Sequence, residues 1–115
     1  MKLKSRKAIA GIFEHGKHVK VYPIHLAYQI VEEEPRFQIG FSVSKRRFKK
    51  AVHRNRIKRL MRESFRLNQG ILQNLDANLR VMAIYIGKEE ITFSQTQEKF
   101  TLALQRLKTE TEKST

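Results

Sequence analysis

The stretch Leu79 to Ile86, LRVMAIYI, does most to narrow what this chain can fold into. Apart from Arg80 and the Tyr85 hydroxyl every position is apolar, the pattern of a strand covered on both faces. Such a strand needs a sheet with packed layers, and other segments must supply them. At 115 residues there is room for one compact domain with a modest core, so 1–115 reads as a single domain.

Two further runs have the period of half-buried strands. Ile24, Leu26, Tyr28 and Ile30 alternate with His25, Ala27 and Gln29, and Phe37, Ile39, Phe41 and Val43 alternate with Gln38, Gly40, Ser42 and Ser44. The polar break Glu32, Glu33, Glu34 and Pro35 between them predicts a hairpin with a four-residue loop. Ser5 is placed to cap a short helix in which Ile9, Ile12 and Phe13 recur at helical spacing, and Gly16 to end it. Ser94 followed by Gln97 has the form of a capping box, and Phe100, Ala103, Leu104 and Leu107 give a final helix one apolar stripe. From Thr109 the tail is polar and is expected to fray. These elements make a small α/β (α+β) sandwich around one sheet.

No run approaches the ~18 consecutive apolar residues of a bilayer span, and no apolar run followed by a small-residue cleavage site marks the N-terminus. The absence of Cys removes disulfides and thiolate metal sites, and the expected compartment is the cytoplasm.

Charge singles out another segment. From Ser44 to Arg66 eleven Lys and Arg stand against Glu63 alone, ten of the thirteen net positive charges of the chain. On a helical wheel Ile57, Leu60, Met61, Ser64 and Phe65 fall in one arc; Asn55, Lys58, Arg59, Arg62 and Arg66 fall in the opposite one, with Arg54 and Arg56 at the borders. An amphipathic helix explains the apolar stripe but not the comb of cations. Like charges at i, i+4 each oppose the helix by ~0.2–0.5 kcal/mol, and cations at its positive end by ~0.3–1 kcal/mol. An anion bound across that end and that face reverses both signs.

A membrane helix needs its apolar face for lipid, whereas here that face must cover the sheet. An acidic protein partner stays open on charge alone. Arg outnumbers Lys from Arg54 to Arg66, which favours phosphate, and nucleic acid leads. The chain has no helix-turn-helix pair, zinc ligand set or zipper to dock DNA, whereas RNA recognised by shape needs none of these.

The run SVSKRRFKKAVHRNRIKRLMRESFR, Ser42 to Arg66, resembles the signature of the bacterial ribonuclease P protein family, with Arg54, Asn55 and Arg56 as its RNR motif. The opening LKSRKAIAGIFEHGK, the FSVS strand end, Asp76 and a final helix extend the likeness more weakly. Where many members have a Gly between the first lysines and the Ala-Val pair, Arg47, Phe48 and Lys49 stand here.

The resemblance implies a mixed sheet of about four strands packed with three helices, the basic helix lying in an unusual left-handed crossover against the right-handed default. It also implies a monomeric subunit that binds a catalytic RNA and helps it remove the 5′ leader of precursor tRNA, with Mg2+ in the complex and no cofactor on the protein alone. By carry-over Lys45, Arg46, Lys49, Lys50, Arg54, Asn55, Arg56, Lys58, Arg59, Arg62 and Arg66 face the RNA. Ile9, Phe13 and Tyr28 line a leader cleft between the first helix and the sheet. Helical spacing alone would make Ile9 and Phe13 plain core, and Phe48 either stacks on RNA or anchors its loop.

No nucleophile, base or metal constellation is expected in the chain itself. His15 and His18 lack the partners of a zinc set, His53 reads as solvated or donating to phosphate, and Glu32 to Glu34 as a turn. A structural RNA-binding protein, such as a ribosomal one, is the competing reading.

Overall fold

The computed structural model describes residues 6–32, 37–73, 75 and 77–113. Ser5, residues 33–35 of the polar break and Asp76 lie outside them. The elements are α1 (Arg6–His15), β1 (Lys17–Val21), β2 (Ile24–Val31), β3 (Phe37–Val43), α2 (Ala51–Leu67), a 3-10 turn (Gln69–Leu72), β4 (Asn78–Tyr85) and α3 (Phe93–Lys113). The strands form one mixed sheet in the order β1-β2-β4-β3, with β2 antiparallel to β1 and β4, and β3 parallel to β4.

The expected β2–β3 hairpin does not form. β4 lies between the two strands, pairing Ile24 with Tyr85 on one side and Val43 with Tyr85 on the other. Its own sequence explains this: a strand apolar on both faces gains most from the inner position. The five residues between Val31 and Phe37 easily bridge two strand spacings of about 5 Å each. The real hairpin is β1–β2, closed by Tyr22 and Pro23 with a cis peptide bond between them. β1, KHVKV, escapes the sequence reading because its lysines and histidine face water and only Val19 is buried, the composition of a guarded edge strand.

The sheet has two unequal faces. Leu26 and Tyr28 of β2, Val81, Ala83 and Tyr85 of β4, and Ile39 and Val43 of β3 join Ile57 and Met61 of α2 and Phe100, Ala103, Leu104 and Leu107 of α3 in one cluster. The alternate positions Ala27 and Met82 meet Ile12 of α1, flanked by Ala8, Ile9 and Ile84, in a much smaller one. At the end of α1 the chain passes so close to β2 that a Cβ on Gly16 would lie 2.6 Å from the Tyr28 carbonyl oxygen and 2.3 Å from that of Ile12.

α3 starts earlier and ends later than its sequence suggests. Gln95 N–H donates to Thr92 Oγ1 at 3.1 Å while Thr92 N–H donates to Gln95 Oε1 at 3.0 Å, a reciprocal cap two residues before the Ser94–Gln97 pair. The helix continues through Lys113 because Thr111 is buried and its hydroxyl donates to the Leu107 carbonyl at 2.8 Å. The expected fraying from Thr109 is thus replaced by a last packed turn.

Candidate nucleic-acid interface

The loop from Ser44 to Lys50 brings basic residues to the start of α2. Ser44 Oγ accepts the N–H groups of Arg46 (3.2 Å) and Arg47 (3.4 Å), and Phe48 N–H donates to the Ser44 carbonyl at 3.1 Å. The Phe48 ring packs edge-on against Tyr85 at 5.9 Å, so it anchors the loop. Lys50, in extended conformation, is the N-cap of α2 and makes no side-chain cap bond; the first turn holds no acid. The His53 amide donates to the Lys50 carbonyl at 3.2 Å, which leaves the Ala51 and Val52 amides to whatever anion approaches.

Three of the arginines work inward. Arg54 Nη1 donates to the Phe48 and Lys49 carbonyls at 2.8 and 2.9 Å, tying the loop to the helix. Arg47 donates to the Ile86 carbonyl, and Arg56 Nη1 meets Glu90 Oε2 at 3.2 Å. The basic loop, α2 and the β4–α3 connection are thus stapled together at one corner. Side-chain charge reaches outward from Lys45, Arg46, Lys49, Lys50, Arg59 and Arg62, which are exposed beside Asn55, and from half-buried Lys58. The Arg62 guanidinium lies 5.7 Å from the centre of the Phe41 ring, a cation–π contact that orients it. Arg66 is paired through two hydrogen bonds, of 2.5 and 3.0 Å, with Glu63, and those bonds lower the Glu63 pKa. Of the eleven residues assigned to the comb, the side chains of Arg54, Arg56 and Arg66 already hold hydrogen-bond or ion-pair partners within the chain, and that of Arg62 a ring.

The second region lies on the other face of the sheet. Phe13 is 48% exposed and Ile9 is half-buried on α1. Tyr28 does not join them. It is 2% exposed in the opposite cluster, and its pKa is raised by burial and then by Glu110 of α3. The residue of β2 that meets α1 is Ala27. The period-2 alternation already held this information, since Tyr28 shares a face with Ile24 and Leu26. The same face as Ala27 carries Gln29, Gln38, Gly40, Ser42 and Arg80, in the registers Gln29 with Arg80, Arg80 with Gln38 and Met82 with Gly40. Arg80 Nε donates to Gln38 Oε1 at 3.3 Å. This polar floor was missed because its residues are scattered over three strands.

His18 and His25 sit on that face too, with Nδ1 of the first and Nε2 of the second 2.9 Å apart. Burial, then His18 and Lys20, lower the His25 pKa. Among the described residues no three His, Asp or Glu side chains are grouped to hold a metal, and no helix is long and apolar enough to cross a membrane.

The fold and its cationic helix define a small α/β sandwich with one strongly cationic face. The Ribonuclease P family model matches residues 1–108, and the chain belongs to the ribonuclease P protein family. It is 33% identical over 103 residues to the "Ribonuclease P protein component" of Porphyromonas gingivalis, covering 85% of this chain and 75% of that one. The ribonuclease P protein of Thermotoga maritima superposes with a TM-score of 0.77 at 25% identity, covering 92% of this chain and 96% of that one. That of Staphylococcus aureus superposes with a TM-score of 0.78 at 24% identity, covering 92% and 94%. Family membership gives the chain the role of a protein component of ribonuclease P.

Proposed function

We propose that this chain binds the catalytic RNA of ribonuclease P through the outward residues of the Lys45–Lys50 loop and α2, and receives the 5′ leader of precursor tRNA between α1 and the sheet. The observation that carries the reading is the concentration of ten of thirteen net charges in one segment, on an uncapped helix end and face that folding alone does not favour. Outward cations neutralise phosphates, while the inward arginines hold the loop and helix in one arrangement, which reduces the ordering needed on binding.

Phe13, half out of α1, offers a ring to an unpaired base, and Ile9 an apolar flank; stacking on an aromatic contributes about 1–3 kcal/mol per base. The Gln29, Gln38 and Arg80 side chains add hydrogen-bonding groups along the floor. The protein positions both RNAs, in the cytoplasm and as a monomer. The reactive centre and its Mg2+ belong to the RNA, so no residue of this chain is assigned a catalytic role.

The test is cleavage of precursor tRNA by ribonuclease P RNA at low magnesium, with and without the chain. Stimulation several-fold or more is expected. A chain that binds the RNA but leaves cleavage unchanged would instead be a structural RNA-binding protein.

A further inference from the structure

The β4–α3 connection carries an acid into the cationic corner. Glu90 Oε2 is 3.2 Å from Arg56 Nη1 and 3.5 Å from His53 Nδ1, and Glu90 Oε1 is buried without a hydrogen-bond partner. Its side chain is 26% exposed, against 56% for Arg56. The backbone around it is fixed: Tyr85 Oη donates to the Glu89 carbonyl at 2.5 Å, Ile86 N–H to the Pro23 carbonyl at 2.8 Å, and Arg47 to the Ile86 carbonyl. The loop therefore delivers this carboxylate to the second arginine of the RNR sequence.

Stability does not account for the arrangement. An ion pair as exposed as this contributes little, and a carboxylate oxygen buried without a donor opposes it. What the carboxylate does supply is a negative, two-oxygen acceptor beside a guanidinium and an imidazole, the same chemistry that a phosphodiester presents. We propose that Glu90 stands in for an RNA phosphate, holding Arg56 and His53 while the protein is free and being exchanged for a phosphate when the RNA docks. This rests on the RNA-binding reading above. Arg56 then adds to affinity only the difference between two anions, and Glu90 sets how much of the net charge is available to any polyanion.

The test is binding of the full chain to a ribonuclease P RNA transcript from the same organism over a salt series, for the parent, Glu90→Gln, Arg56→Gln and the double variant. Glu90→Gln is expected to tighten binding several-fold at low salt and to steepen the plot of log affinity against log salt by about one. Arg56→Gln should cost more in the Glu90→Gln background than in the parent, and the double variant should lose the added slope. Arg59→Gln, which removes a cation with no acid beside it among the described residues, should flatten the slope by about one in both backgrounds.

Glu90→Ala must reproduce the slope of Glu90→Gln, because the slope reads charge and not packing; a melting curve for each variant separates misfolding from altered binding. An unchanged or shallower slope in both Glu90 variants overturns the exchange, as does an Arg56→Gln cost that is equal in the two backgrounds. A parent that fails to bind the transcript takes down the RNA-binding reading together with the exchange, whereas a parent that binds with a slope insensitive to Glu90 takes down the exchange alone.

Discussion

The two faces of the sheet are built from the same strands, yet they are covered very differently. Under α2 and α3 lies a continuous layer that includes Phe100, Leu104 and Leu107, all fully buried. Under α1, among the described residues, the buried cluster holds Ile12, Ala27 and Met82, and Gln38, Gly40, Ser42 and Arg80 extend beyond it at intermediate exposure. One face carries the stability of the domain, and the other keeps polar, reachable surface. The alternation of β2 and β3 produces much of this difference, because both send their larger apolar residues one way and mostly small or polar ones the other, while β4, apolar on both faces, also puts Met82 and Ile84 under α1.

The largest effect expected from this division is on the thick face. Phe100→Ala removes a fully buried ring that packs against Phe41 and Phe65 at 6.4 and 6.5 Å, and should destabilise the domain by about 3–5 kcal/mol in denaturant unfolding. A loss under 1 kcal/mol would mean that the two faces share stability more evenly than their burial implies.

Next comes Tyr85, also on the thick face. Burial chiefly, then the neighbouring Tyr22 and Glu90, push its pKa up from 10.0 to about 12. A raised folded-state pKa on an acid that is neutral when protonated means a contribution fully present below pH 10 and lost as pH rises towards about 12. The melting temperature of the parent should therefore fall over that window more steeply than that of Tyr85→Phe; parallel profiles would show that the hydroxyl is solvated.

The smallest expected effect on the fold, and a selective one on function, belongs to the thin face. Phe13→Ala should leave stability within about 0.5 kcal/mol while weakening leader-bearing precursor by about 1–3 kcal/mol relative to leaderless tRNA in a binding titration. A leader-specific loss on Tyr28→Phe, with none on Phe13→Ala, would move the leader to the other face and break the comparison.

Most of the thick face was legible in the sequence. The unbroken apolar run of β4 marks a strand buried on both faces, and the stripe of α3 and the apolar arc of α2 each have the helical period of a face packed on a sheet. Strand partners were not legible, because β2 and β3 are each half-apolar and pair equally well with one another or with β4; the need to bury both faces of β4 decides between them. The comb was visible as charge. Its division into outward Lys58, Arg59 and Arg62 and inward Arg47, Arg54 and Arg56 was not, since the partners of the inward set are backbone carbonyls and an acid 34 residues from Arg56. The resemblance puts Tyr28 in the leader cleft, but its parity with Ile24 and Leu26 puts it on the opposite face.

Of the two inner strands, β4 is the later to leave the ribosome. β4 joins β2 through Val31 and Asn78, and joins β3 through Phe37 and Leu79, so until residues 78–85 have emerged β3 has no neighbour in the sheet and the first hairpin stands alone. Such distant pairings slow folding. During synthesis a nascent polycation with unpaired strands is displayed beside ribosomal RNA, and the sheet closes only once β4 has emerged to pair with both β2 and β3.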